Sequence, residues 1–219
     1  ILFTNIGRRT YIIDYALELS LKIKLNFFIC DQTKYISSNF ISKEIKFIKT
    51  PKVLINNDIY IKKILYICIK NKIDLVVPFM DFELEIFSKN KKLFKKNNIK
   101  ILVSDLDFIT NCLDKEKFRN FCNKNNINTP KLIKKLNNKN ISYPIIKKEK
   151  QGSGSVNQSM IYKKIDLKID KNTILQEYID GTEYGMDILN SYKGEYVHSF
   201  VRKKVSMKNG ETDQAIGIY

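Results

Sequence analysis

The sequence predicts an α/β fold whose first part is a parallel sheet covered by helices. Short apolar runs alternate along the chain with longer runs in which apolar residues recur at helical spacing. Residues 74–78 are a nearly continuous apolar run of the kind that is buried on both faces of a parallel sheet. Strands and helices in regular alternation indicate βαβ units, and therefore strands that all run in one direction.

The beginning of the chain has the order strand, glycine turn, helix, strand and acidic residue. We predict a strand at residues 1–4, a turn at Gly7, a helix at residues 11–21 and a strand at residues 25–30 that ends at Asp31. This order is that of a Rossmann-like βαβ unit. The pattern Gly-x-Gly-x-x-Gly is missing from the sequence, which argues against a dinucleotide site at this turn.

The same periodicities predict the remaining elements of the first part. They are strands at residues 44–50 and 99–103, helices at residues 58–70 and 81–96, and a connector at residues 104–111. Asp81 is expected to cap its helix, and Glu83 and Glu85 to lie in the first turn, where acidic side chains complement the helix dipole. We therefore assign these three acidic residues a structural role.

The chain is strongly basic, with a formal net charge of +16 over 219 residues. Nucleic acid is one partner that would suit such a charge. The basic residues are, however, spread along the chain without interleaved aromatic residues, and arginine, which makes bidentate contacts to phosphates and bases, is scarce among them. A solvated lysine-rich surface explains the charge better, so we expect no nucleic-acid partner.

Cysteine usage and hydropathy indicate a cytoplasmic protein. The cysteines (Cys30, Cys68, Cys112 and Cys122) lie among apolar residues and form no Cys-x-x-Cys pair, which is typical of buried free thiols in a reducing compartment. With one histidine and no cluster of ligands, a zinc site is not expected. No apolar run reaches the roughly 18 residues of a membrane span, and no signal peptide is recognisable.

Residues 142–189 combine a strand, a glycine-rich loop and a second strand. Residues 143–148 read Tyr-Pro-Ile-Ile-Lys-Lys, residues 151–155 read Gln-Gly-Ser-Gly-Ser, and Gln-Glu-Tyr-Ile at 176–179 precedes Gly-Thr-Glu-Tyr at 181–184. Gly152 and Gly154 allow a positive φ and close approach to a ligand, and N–H groups in such a loop can bind an anion. Lys148 would add positive charge for a phosphate, whereas Glu177 and Glu183 suit an exocyclic amine and ribose hydroxyls.

A hairpin with a flexible tip is the alternative interpretation of this segment, because a short glycine-rich loop alone is a weak signal. The P-loop pattern is missing, since no Gly-Lys-Ser/Thr occurs at the required spacing. The joint order of lysine, glycine loop, Gln-Glu-Tyr-Ile and Gly-x-Glu-Tyr nevertheless favours nucleotide binding.

Two further positions are candidates for contacts with phosphate. Asp114 is expected to cap a helix that runs to Asn125, and Lys115 lies in its first turn, where a cation opposes the helix dipole unless it contacts an anion. A solvated charge is the alternative for this lysine. After a strand at residues 196–201, Arg202 and Lys203 are better catalytic candidates than the lone His198, because phosphoryl transfer needs positive charge where negative charge develops.

This arrangement resembles the ATP-grasp superfamily, in particular its carbamoyl-phosphate-synthase-like (large-subunit-like) branch. The resemblance covers nearly all of the chain and is densest at residues 113–215. It implies a Rossmann-like pre-ATP-grasp domain with a parallel sheet at residues 1–107, followed by a truncated ATP-grasp domain at residues 108–219 with an α+β lid subdomain at about 142–190. It also implies that Gly7, Arg8 and Arg9 face the catalytic cleft, although a turn with surface arginines is equally compatible.

The resemblance further implies ATP and Mg²⁺ as cofactors. The positions that match the family's nucleotide contacts are Lys115, Lys148, Gly152, Ser153, Gly154, Ser155, Glu177, Tyr178, Ile179 and Glu183, and the catalytic candidates are Arg202 and Lys203. Lys147 takes a family position that is usually apolar, and Glu149 takes one that is often proline. Lys147 and Lys148 can therefore exchange places in the alignment to the family's lysine position. Residues 210–215 resemble a loop near the acceptor site, or else form a plain glycine turn.

Family enzymes phosphorylate a carboxylate with ATP, and an amine or similar nucleophile attacks the acyl phosphate. The expected partners are therefore ATP, a small carboxylate and a nucleophile. We expect no membrane partner, and a homo-oligomer is compatible with the sequence. The family's metal ligands, a Glu and a Glu-x-Asn pair, have no match here, and we expect a fragment of a longer protein. The alternatives are a non-catalytic nucleotide-binding or regulatory module and, less favoured, a basic nucleic-acid-binding protein.

Overall fold

The computed structural model describes residues 1–53, 57–133, 141–152, 157–163, 170–208 and 211–218. The chain divides into two compact units, Ile1–Thr110 and Asn111–Tyr219. Strands of the first unit are parallel and those of the second are antiparallel, so the predicted α/β architecture with a parallel sheet first is confirmed.

The first unit is a parallel sheet with helices between its strands. Its described elements are β1 Leu2–Thr4, α1 Thr10–Lys22, β2 Phe28–Asp31, a 3₁₀ helix Ser37–Phe40, β3 Lys46–Lys49, α2 Asn57–Lys70, β4 Leu75–Pro78, α3 Asp81–Lys95 and β5 Lys100–Ile101. Among the described residues the strand order is β3-β2-β1-β4-β5. The chain leaves β1 toward one edge and later returns to β1's other side through β4, which is the switch point of a doubly wound sheet.

The central strands β1, β2 and β4 have core on both faces, which explains why they are largely apolar runs rather than alternating ones. On one face, Leu2 and Val76 join a core with Tyr60 and Phe87 of α2 and α3. On the other face, Phe3, Ile29 and Ile13 belong to a second core that includes α1. The parallel register of β1 with both β2 and β4 places successive strand residues in these two cores alternately.

Two predictions for this unit, and one for Cys112 just after it in the chain, need correction. Asp81 is the first residue of α3 and not its cap, since the cap position is Met80, which makes no capping hydrogen bond through its side chain. The carboxylate still lies where the helix dipole favours it. The strand predicted at residues 99–103 is shorter, Lys100–Ile101. Cys112 is exposed, in contrast to the three buried cysteines, because it lies in a short helix with one face in solvent.

The connector predicted at residues 104–111 is also wrong, because α4 spans Leu106–Leu113 and crosses the boundary between the units. Its apolar residues follow helical spacing, with Ile109 buried and Asp107 in the first turn. The Thr110 hydroxyl donates a hydrogen bond of 2.8 Å to the Leu106 carbonyl one turn earlier. With only eight residues, the helix offered too short a periodic run to be distinguished from a connector.

The second unit contains one further helix and two antiparallel sheets in the described residues. The elements are α5 Lys115–Lys124, β6 Ile145–Glu149, β7 Ser159–Ile161, β8 Thr173–Glu177, β9 Tyr184–Asn190, β10 Tyr196–Lys208 and β11 Glu211–Ile218. The strand orders are β7-β6-β8 and β11-β10-β9. Ile145, Ile161 and Leu175 form the buried centre of the first of these sheets.

The predicted loop or turn at residues 210–215 is corrected for its described part. Glu211 to Ala215 belong to β11, because the backbone pairs Lys208 with Glu211 and Lys204 with Ala215 across an antiparallel ladder. Gly210 lies outside the described residues. The glycine suggested a turn, and the four polar residues 211–214 give no alternating pattern of a strand, so that β11 is recognised only from its pairing with β10.

Candidate functional site

The start of α5 is fixed by its cap. The Asp114 carboxylate accepts hydrogen bonds from the backbone N–H groups of Glu116 and Lys117, at 2.9 and 3.0 Å. This is the cap that the sequence predicts, and it satisfies two N–H groups that a helix start otherwise leaves unpaired. The Lys115 backbone N–H donates to the Lys150 carbonyl at 2.9 Å. The helix start is therefore held against the chain segment that leaves β6.

This contact brings Lys115 to the glycine turn. Its ammonium group Nζ donates a hydrogen bond of 3.0 Å to the carbonyl of Gly152. Gly152 has φ of +111°, a conformation that L side chains rarely adopt. The turn therefore requires glycine for its backbone conformation. The neighbouring predicted contacts Ser153, Gly154 and Ser155 lie outside the described residues.

Lys148 lies beside Lys115. Burial lowers the pKa of the Lys148 ammonium, and the positive charge of Lys115 lowers it further. Among the described residues no carboxylate forms an ion pair with Lys148. Two cations held together in this way repel each other, and an anion between them removes that repulsion.

Register in the β7-β6-β8 sheet separates Lys148 from Lys147. Lys147 is paired with Leu175 and Lys148 with Ile174, so the two lysines point to opposite faces. Lys147 acts on Asp170, whose pKa is lowered first by the hydrogen bond from the Asn172 backbone and, among weaker causes, by Lys147. It is therefore Lys148 that lies next to Lys115.

An open cavity of about 440 Å³ adjoins these lysines. Its lining is polar throughout: Lys147, Lys148, Glu149, Asn157, Gln158, Ser159, Asp170 and Thr173. The Asn157 amide donates to the Glu149 carboxylate at 2.6 Å, which ties the two ends of the glycine-containing segment together. Such a lining suits a charged ligand better than an apolar one.

Glu177 is engaged with the segment that follows Pro130. Its carboxylate accepts a hydrogen bond from the Lys131 N–H at 2.8 Å, and its own N–H donates to the Lys131 carbonyl at 3.0 Å. Glu177 is paired with Ile145, two positions from Lys147, so its side chain lies on the face opposite to Lys148. Tyr178 and Ile179 follow the end of β8 and are exposed.

The remaining candidates lie on the β11-β10-β9 sheet. Ion pairs join Glu183 to Lys204 and Asp187 to Arg202 across neighbouring strands. Arg202 is paired with Gly185, and a Cβ atom added there would lie 3.2 Å from the arginine Nε, so the glycine leaves room for the arginine side chain. Lys203 points to the opposite face, because neighbouring strand residues alternate. The register therefore places Glu183 and Arg202 on one face of the sheet and Lys203 on the other.

Sequence reasoning missed the residues that hold the candidates in place. Lys150 forms an ion pair with Glu116, at 2.8 Å between Nζ and Oε2, and this hydrogen bond raises the pKa of the Lys150 ammonium. Lys204 was missed as the partner of Glu183. These ion pairs depend on strand register and tertiary contact, which the sequence does not show directly. The one available signal was that Glu116 is an acidic residue in a first helical turn.

No group of three or more metal-ligating side chains occurs within the residues that the structure describes. Helices in the same parts of the chain are all too short or too polar to cross a membrane. Among the described residues, the ammonium groups of Lys115 and Lys148 fit an anion.

Family models match both units of the chain. The model described as "PylC-like, N-terminal domain" matches residues 1–102, and the one described as "ATP-grasp domain" matches residues 112–215. No curated protein matches the sequence significantly.

Solved structures share the fold. The L-amino acid ligase from Bacillus licheniformis is 16% identical to this chain, with a TM-score of 0.63. The alignment covers 100% of this chain and 54% of the ligase. The biotin carboxylase–β-γ-ATP complex from Campylobacter jejuni is 15% identical with a TM-score of 0.65, covering 96% and 52%. The N5-carboxyaminoimidazole ribonucleotide synthetase from Thermotoga maritima is 18% identical with a TM-score of 0.59, covering 92% and 52%.

The chain spans about half the length of these three proteins. Their identities are low, so the likeness concerns the fold, whereas the two family models together account for nearly the whole sequence. The predicted ATP-grasp resemblance is confirmed. Residues 112–215 belong to the ATP-grasp domain family and follow a PylC-like N-terminal domain, which makes this chain a member of the ATP-grasp superfamily.

Proposed function

We propose that this chain binds ATP, and that the protein to which it belongs activates a carboxylate as an acyl phosphate for attack by an amine or similar nucleophile. The observation that carries the proposal is that Lys115 donates to the Gly152 carbonyl and lies close enough to Lys148 for the two positive charges to interact. The structural neighbours support it, since their names describe an amino acid ligase, a synthetase and a carboxylase complexed with an ATP analogue.

In this proposal the two ammonium groups bind the phosphates of ATP. Each lysine offers a point charge with hydrogen-bond donors, and the anion relieves the repulsion between them. The positive-φ turn at Gly152 lets the backbone approach the phosphates closely. The partial burial of Lys148 strengthens the attraction, because water screens a half-buried charge less than an exposed one.

The other contacts complete the nucleotide site. We propose that the backbone at Tyr178 and Ile179 pairs with the adenine edge, with Glu177 nearby, and that Glu183 accepts from the ribose hydroxyls. Glu183 must then exchange or share its present partner Lys204. Arg202, oriented by Asp187, would stabilise the transferred phosphoryl group, and Lys203 is the weaker candidate because of its opposite orientation.

ATP supplies the phosphoryl group: a carboxylate oxygen attacks the γ-phosphorus and ADP leaves. The nucleophile then attacks the acyl carbon, and inorganic phosphate leaves as the carbon–oxygen bond to it breaks. Mg²⁺ enters the proposal only as the ion that accompanies ATP. The carbamoyl-phosphate-synthase-like branch, a cytoplasmic location and a domain boundary near residue 107 also stay predictions.

The test is calorimetric titration of MgATP into the chain. We expect saturable binding that Lys148→Ala weakens at least tenfold, as expected for the loss of roughly 1.4 kcal/mol or more from a charge-assisted contact. Lys62→Ala, which removes an exposed lysine from α2, is the matched control and should bind as the wild type does. A folded wild-type chain that does not bind MgATP would contradict the proposal.

A non-catalytic nucleotide-binding module is the second candidate, and one observation favours it. Glu183 and Arg202 are both engaged in ion pairs with neighbouring side chains rather than free for a ligand. Hydroxylamine added with MgATP and a panel of carboxylic acids distinguishes the two, because it traps an acyl phosphate as a hydroxamate. Binding of MgATP without hydroxamate or ADP from any acid would favour the non-catalytic module.

A further inference from the structure

Lys150 connects three parts of the second unit through its backbone and side chain. Its carbonyl accepts the Lys115 N–H at 2.9 Å, and its own N–H donates to the Asn172 carbonyl at 2.7 Å. Its ammonium group lies 2.8 Å from the Glu116 carboxylate. The residue thus stands between β6, the start of α5 and the turn at Gly152.

We propose that the ion pair of Glu116 and Lys150 positions Lys115 for the phosphates of ATP. This inference rests on the proposed function and assigns positioning residues to the same site. Neither partner needs to touch ATP. Both act through the orientation of the first turn of α5.

The geometry explains why one backbone contact is not enough. The hydrogen bond from Lys115 to Lys150 fixes one point of the helix start and leaves rotation about that point. Glu116 follows Lys115 by about 100° around the helix, so its ion pair fixes a second direction. With both contacts, the Lys115 ammonium is directed to Gly152, two residues beyond Lys150.

Charge gives the pair a second effect on the same lysine. Lys115 and Lys148 repel each other, which favours movement of Lys115 into solvent. An unpaired Lys150 would add a third positive charge near the start of α5, where its carbonyl accepts the Lys115 backbone N–H. Glu116 neutralises this cation and thereby lowers the repulsion that opposes the site's geometry.

The expected effect is modest, because 31% of the Lys150 side chain and 44% of the Glu116 side chain are exposed. Pairs of this exposure change an equilibrium constant by roughly fivefold at most. We therefore expect Glu116→Gln to weaken MgATP binding about three- to fivefold, without a change in secondary structure by circular dichroism.

The experiment titrates MgATP into the wild-type chain, Glu116→Gln, and the charge-swapped double variant Glu116→Lys/Lys150→Glu. The swap restores the pair and should restore the affinity. Glu18→Gln removes an exposed ion pair with Lys22 in α1 and serves as the matched control, with wild-type affinity expected. Wild-type affinity in Glu116→Gln would overturn the inference, as would a swap that fails to restore binding.

A second measurement separates positioning from a general effect on stability. In a Lys115→Met background, Glu116→Gln should cause no further loss of affinity, because the residue it positions is gone. An equal loss in both backgrounds would overturn the inference. If Lys115→Met leaves no measurable binding, the charge swap decides. A wild-type chain that does not bind MgATP refutes the proposed function itself, whereas binding that is insensitive to Glu116 refutes this inference alone.

Discussion

Burial and a neighbouring cation act in the same direction on Lys148, and both lower the pKa of its ammonium group. Phosphate binds the charged form, so the affinity for MgATP should fall as the pH rises through this lowered pKa, earlier than for an ordinary lysine with a pKa near 10.4. Titration of MgATP at a series of alkaline pH values, with circular dichroism as a check on folding, measures the position of this decline.

Lys115→Met is the informative variant at the residue scale. It removes the second cause of the shift, so the pKa of Lys148 should rise and the decline in affinity should move to higher pH, even though overall affinity is lower. Glu149 and Asp170 also line the cavity and are unchanged by the substitution. A decline that stays at the same pH would show that Lys115 does not act on Lys148.

Helices α2 and α3 are joined by a buried polar contact. The Tyr60 hydroxyl donates to the Glu83 carboxylate and accepts from the Asn5 side-chain amide at 3.1 Å. Burial raises the pKa of Glu83, although the hydrogen bond from Tyr60 opposes the shift. The contribution of this group to stability is therefore present below the unfolded pKa near 4.3 and is lost as the pH rises through the raised folded value.

Glu83→Gln should remove this pH dependence, because the amide can still accept from Tyr60 but cannot ionise. Glu83→Ala should destabilise the first unit by about 2–4 kcal/mol, since it leaves a cavity and an unpaired hydroxyl. Hydrogen exchange in peptides of α2 and α3, followed by mass spectrometry between pH 5 and pH 8 with correction for the intrinsic exchange rate, measures both. If the wild type and Glu83→Gln responded alike to pH, ionisation of Glu83 would not be the cause of the pH dependence.

Helices with long periodic patterns were predictable, and so was the Asp114 cap at the start of α5. The pattern of residues 58–70 predicted α2 to within one residue of Asn57–Lys70. The burial of Glu83 was not predictable, because a first-turn acid usually faces solvent and only the tertiary contact with Tyr60 reverses this. The contact of Glu177 with the Lys131 N–H depends on the bridge that pairs Leu132 with Gln176 of β8. No local sequence pattern encodes this pairing.

At the scale of the whole molecule, the net charge of +16 predicts a general attraction for polyanions that is distinct from ATP binding. A polyanion bound through six to ten phosphate contacts loses about 10³- to 10⁵-fold in affinity between about 50 and 200 mM salt. In the proposed site MgATP would contact far fewer charges, mainly Lys115 and the half-buried Lys148, so its affinity should fall by about tenfold or less over the same range.

Parallel titrations of MgATP and a single-stranded oligonucleotide at these salt concentrations test this separation. Lys148→Ala should weaken MgATP binding strongly and leave oligonucleotide binding almost unchanged, because the substitution removes one of many charges from the diffuse attraction but half of the lysine pair from the site. Exposed Lys62→Ala should have little effect on either. If MgATP binding instead declined with salt as steeply as oligonucleotide binding, and Lys148→Ala weakened both equally, the positive charge would be acting as a general polyanion surface and the lysine pair would not be a nucleotide site.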